Sequence, residues 1–101
     1  MHSPYVNEKL WQAIHVLVTS ESRLQQRLAG AAEYLIRLRP TEDLPEKPRK
    51  ELEAILHSLT KEPAETDEGT IQAATAKMTD QEARRVAEAV LSLYTQLNGG
   101  I

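Results

Sequence analysis

The sequence predicts an all-α fold, a compact bundle of four to five helices forming a single domain over residues 1–101. Three observations predict it. Apolar residues recur at spacings of three and four in several separate stretches, the period of a helix with one buried side. Prolines, glycines and capping residues punctuate those stretches at short intervals. The aromatic content is low, with one Trp, three Tyr and no Phe, so the core must come from Leu, Ile, Val and Ala, which suits helix-on-helix packing. A domain of this size is stable by roughly 5–15 kcal/mol.

The first helix opens at Ser3 and Pro4. Serine caps, and proline at the first helical position loses no useful hydrogen bond. Val6, Leu10, Ala13, Ile14 and Leu17 follow at helical spacing, with Trp11 and Val18 on the edge of the stripe. The β-branched run 14–19 has no second strand-like run to pair with, so it stays helical, and the helix ends near Thr19. Ser20 reads as the cap of the second helix, with Glu21 at the positive end of its dipole. Its stripe is Leu24, Leu28, Ala31, Leu35 and Leu38, widened by Ala29, Ala32 and Ile36. The middle, Ala29 to Ala32 with Gly30 between them, has almost no side-chain bulk, so this helix is the natural place for the tightest crossing. The first, third and fifth helices are expected to touch it. Glu33 and Arg37 stand in the order that favours a surface pair, and Pro40 stops the helix.

Residues 40–48 carry three prolines and form a rigid connector. Asp43 is the expected cap of the third helix, with Pro45 in its first turn; Pro48 is tolerable only if it too lies in that turn. Leu52, Ile55, Leu56 and Leu59 make its apolar side. An acidic loop leads to a short fourth helix, opened by Asp67, Glu68 and Gly69, whose inward residues are Ile71, Ala74 and Met78. Thr79 and Glu82 form the best capping box in the chain. The fifth helix follows, with Ala83, Val86, Ala87, Val90, Leu91, Tyr94 and Leu97 as its buried candidates, and Asn98, Gly99 and Gly100 end it.

Composition excludes several kinds of chemistry. There is no cysteine, hence no disulfide framework, thiolate nucleophile or cysteine-ligated metal. Neither a signal peptide nor an apolar run long enough to span a bilayer is present, and the expected location is the cytoplasm. The net charge of −3 lowers the expectation of a duplex DNA partner, which usually meets a basic face.

No motif carries catalysis. Of the three histidines, His2 is terminal, His15 is expected at the edge of the buried side, and His57 shares a helix face with Glu53 as a surface contact. The loop 64–71 resembles an EF-hand only at Gly69 and Ile71; Ala64 and Thr75 fall where that site needs carboxylates. Asp43, Asp67 and Asp80 all sit at helix starts, where capping accounts for them. No phosphate-binding glycine loop and no nucleophile elbow is present. The expected function is therefore non-enzymatic, with no metal or other cofactor: protein–protein contact, with a homodimer as one form of it. Tyr5, Trp11 and Tyr34 are the candidate partner-binding residues, since Tyr and Trp anchor interfaces, although the edge of a core is the commoner place for them. The alternative is a nucleic-acid-associated regulatory module using a basic rim of Arg37, Arg39, Lys47, Arg49 and Lys50, diluted by Glu42, Asp43 and Glu46.

Overall fold

A computed structural model describes residues 4–38, 44–61 and 69–99. The Ser3 cap, Arg39, the Pro40 stop, Asp43, the acidic loop through Glu68, and Gly100 lie outside them. The described residues form five helices and no strand: α1 (Pro4–Thr19), α2 (Leu24–Leu35), α3 (Glu46–Thr60), α4 (Thr70–Ala76) and α5 (Asp80–Leu97). They pack into a body of 39 × 26 × 21 Å. As expected, α2 touches α1, α3 and α5, and it touches α4 as well. Its most extensive neighbour is α1.

The helices run antiparallel where their pairings can be followed. Arg27 Nη1 donates to the Leu17 carbonyl at 2.8 Å, Gly30 lies against Val16, and Lys9 reaches Tyr34. Rising numbers on α2 thus meet falling numbers on α1. The same holds for α1 with α5, where Asn7 and Asn98 exchange side-chain hydrogen bonds, and for α3 with α5, joined by Gln96 Nε2 to Glu51 Oε1 at 2.7 Å. The crossing of α1 and α2 is close at the expected place. A Cβ built on Gly30 would stand 3.2 Å from Val16 Cγ1. Leu28, Ala31, Ala32 and Leu35 beside it are fully buried, with Leu10, Leu52, Leu59, Val90 and Leu93 from the surrounding helices.

Several boundaries differ from expectation. Ser20 does not cap α2. Its main-chain N–H bonds to the Val16 carbonyl at 3.1 Å, so it completes the end of α1, and the N-cap of α2 is Arg23, in extended backbone with no side-chain bond. That helix also ends at Leu35, short of Leu38 and Pro40. Leu38 donates instead to the Leu35 carbonyl at 3.0 Å, a tightened turn that satisfies a terminal carbonyl while keeping Leu38 buried. The N-cap of α3 is Pro45, not Asp43. Pro48 then falls in the first turn, where its missing N–H costs nothing. On α4, Thr75 joins Ala73 and Ala74 in the buried set, its hydroxyl bonded to the Ile71 carbonyl at 2.9 Å. Ile71 is only half-buried and Met78 lies just past the helix.

On α5 the buried line is Ala83, Val86, Val90 and Leu93. Leu91, expected inside, is 52 % exposed. The line steps by three and four residues from Ala83, and Leu91 falls a third of a turn outside it.

The capping box of α5 forms as read. Glu82 N–H donates to Thr79 Oγ1 at 3.1 Å, and Thr79 N–H donates to Glu82 Oε1 at 2.9 Å. Thr79→Ala should lower stability by about 1 kcal/mol, read from the denaturation midpoint. The Thr79 main-chain N–H, then its side chain, holds the Glu82 carboxyl below its ordinary range. A carboxylate favoured by folding stabilises above its unfolded pKa and stops doing so as pH falls through the lowered one. The melting-temperature advantage over Glu82→Gln should therefore be complete at neutral pH and shrink as the pH is taken below 4.5. An advantage unchanged in acid would remove the box from the account.

Candidate functional site

The structure divides the three candidate partner-binding residues between two sides of α1. Tyr5 and Tyr34 lie toward α2. The Lys9 ammonium sits 5.4 Å from the centre of the Tyr5 ring and 5.8 Å from that of Tyr34, so one cation bridges both rings. Tyr5 is half-exposed, whereas Tyr34 is largely turned into the core edge.

Trp11 lies on the other side of α1, along α5. It is 51 % exposed, and it borders a surface hollow with Pro4, Asn7, Glu8 and Tyr94. His15, one turn on, is exposed rather than at the edge of the buried side, and its ring stacks on Trp11 with centroids 5.1 Å apart. The reason is angular. Val6, Leu10, Ala13 and Leu17 are the buried line of α1, and His15 projects about 160° from Ala13–Leu17 on a helix turning about 100° per residue. Val18 follows on the same side as Trp11, 74 % exposed.

The antiparallel register sets α5 beside this line. Asn7 is level with Asn98 through their paired amides, and Trp11 is level with Tyr94. Each step up α1 is matched by a step down α5, which places Leu91 level with His15. Trp11, Val18 and Leu91 therefore form one exposed apolar strip over the α1–α5 seam. Beneath it, Ile14, Ala87 and Tyr94 pack against the core. The sequence places Trp11 and Val18 together on the edge of the α1 stripe but does not join His15 or Leu91 to them. The available signal was the alignment of Trp11, His15 and Val18 on α1 at spacings of four and three.

The basic rim is partly tied up within the fold. Arg37 Nε donates to the Glu33 main-chain carbonyl at 3.1 Å, so this pair meets through the backbone rather than through the carboxylate. Lys50 Nζ pairs with Glu46 at 3.2 Å. Arg49 is half-buried and Lys47 exposed. Among the described residues no cluster of three or more His, Asp or Glu side chains is placed to hold a metal ion, and His57 stands exposed on α3. No helix among them is long and apolar enough to cross a membrane.

Among the described residues, a polar junction forms inside the bundle at Gln25. Gln25 is 5 % exposed, and its Nε2 donates to the Met78 carbonyl at 3.1 Å and to Asp80 Oδ1 at 2.9 Å. Its Oε1 is buried without a partner. Both partners of Nε2 are acceptors, which sets the orientation of the amide. The junction ties the start of α2 to the connection between α4 and α5. Gln25 also borders an open hollow between α2 and α4, together with Gly30, Glu33, Thr70 and Thr75, and Asp80 is exposed.

Comparison with known protein families, with characterised proteins and with solved structures finds no match to this chain.

Proposed function

We propose that this chain works by protein–protein contact rather than by catalysis, and that the α1–α5 face is where the contact is made. The observation that carries the reading is the strip of Trp11, Val18 and Leu91, three large apolar side chains each at least half in solvent on adjacent helices. Apolar side chains exposed singly are ordinary, but a contiguous group of them favours an occupant. Tryptophan adds the largest anchoring side chain, and its stacking on His15 holds the ring ready for contact at little further cost in side-chain freedom. The absence of cysteine suits work in the reducing cytoplasm.

A photo-crosslinking residue in place of Val18, introduced in the native cell, tests this directly. Protein adducts are expected at position 18 and not at a control position, His57, on the exposed side of α3. A homodimer would appear at twice the chain mass and any other partner at a different sum. A clean chain at position 18 after irradiation would overturn the proposal.

A further inference from the structure

The charges at the two ends of the strip suggest what covers it. Glu8 lies seven residues before His15 on α1, and Arg84 lies seven residues before Leu91 on α5. Seven residues are close to two turns, so each charged residue shares the line of its partner on the same helix. His15 and Leu91 are level, and the helices are antiparallel. Glu8 therefore stands about 10 Å to one side of the strip's middle and Arg84 about 10 Å to the other, at a rise of 1.5 Å per residue. Both are exposed. Neither makes a hydrogen bond or ion pair with a described residue. The strip thus has an acid at one end and a base at the other, and exposed Glu88, four residues after Arg84 and three before Leu91, adds a second acid beside its apolar middle.

The two ends of such a face are complementary to each other. A two-fold axis lying in the contact plane, perpendicular to the line from Glu8 to Arg84 and through its midpoint, exchanges the two positions. It sets Glu8 of each copy against Arg84 of the other, twice, with Trp11, His15 and Leu91 of both copies around the axis. This is the isologous arrangement of two-fold dimers. We infer that the α1–α5 face pairs with the same face of a second copy of this chain, held in register by reciprocal Glu8–Arg84 contacts. The inference rests on the protein-contact reading and names its partner. Two helices side by side present about 25 Å by about 20 Å, or about 500 Å² on each copy. A buried total of about 1,000 Å² places the dimer at the weak end of specific interfaces. Its formation therefore depends on concentration.

Charge reversal in solution tests the pairing. The wild-type chain is expected to sediment as a monomer–dimer equilibrium. Glu8→Arg sets Arg against Arg at both ends, and Arg84→Glu sets Glu against Glu. Each variant alone should associate about tenfold more weakly or less, since opposed like charges are costly. An equimolar mixture of the two restores opposite charges at both ends and should recover the dimer. Within one chain the two residues are about 20 Å apart, so recovery can only arise between chains, and it also shows that both variants are folded. A wild-type chain that stays monomeric at every concentration overturns the inference, as does a dimer that neither reversal weakens or a mixture no stronger than its parts. If the chain is monomeric and position 18 still crosslinks to a different protein, the two-fold dimer fails and the protein-contact reading stands.

Discussion

Leu28→Ala is expected to lower stability by about 2–5 kcal/mol, a large part of what a domain of this size possesses. Leu28 is fully buried in the middle of α2, the helix that touches all four others. Truncation removes apolar area from the core and leaves a cavity that several separate helices would have to move to fill. Urea unfolding should show the midpoint falling with little change of slope, because the surface exposed on unfolding is nearly the same. Leu91→Ala is the matched comparison. The same atoms are removed from the same kind of helix, but the side chain is half in solvent, and the change should stay within about 0.5 kcal/mol. Equal losses at the two leucines would mean that α5 is turned differently about its axis and that the exposed strip does not exist.

Ala31→Leu should destabilise by about 1–3 kcal/mol through the opposite fault, too much volume. Ala31 has no exposed surface. It adjoins Gly30, where even a Cβ would come within 3.2 Å of Val16. Three additional carbons at position 31 cannot be accommodated without separating α2 from a neighbour or forcing a side chain out of its preferred rotamer. A thermal melt reads the effect. An unchanged melting temperature would show that the run of small residues at 29–32 is not where the helices come closest.

The parts of the fold legible in sequence are those decided locally. The Thr79–Glu82 box is a contact between residues three apart and forms as read. Of the expected apolar side of α3, Leu52, Ile55 and Leu59 are buried and Leu56 is half-buried at its edge. Position along the chain fails where two local choices are equally good. Ser20 is a good cap in isolation, but the end of α1 takes its N–H. On α5, Ala87, Leu91 and Tyr94 make a helical line almost as apolar as Val86, Val90 and Leu93. Only the places of α1 and α3 on either side decide between them. The candidate site was illegible for the same reason. Trp11 is visible as an unusual residue, yet its companion Leu91 is 80 positions away. Nothing local says that α5 rather than α2 lies along that side of α1, and Tyr5 and Tyr34, grouped with Trp11 by residue type, lie on the other.

Gln25 has its consequence in the packings it rules out. A stripe of leucines and alanines repeating by fours and threes nearly matches itself when slid along its neighbours by seven residues, and apolar contact alone discriminates poorly between such alignments. The amide does not repeat. Moved away from the Met78 carbonyl and the Asp80 carboxylate, it would remain inside with nothing to bond, at a cost of about 1–3 kcal/mol. The glutamine thus selects one alignment of α2 from several that its hydrophobic residues would accept. The amide nitrogen alone makes that selection, since the oxygen has no protein partner.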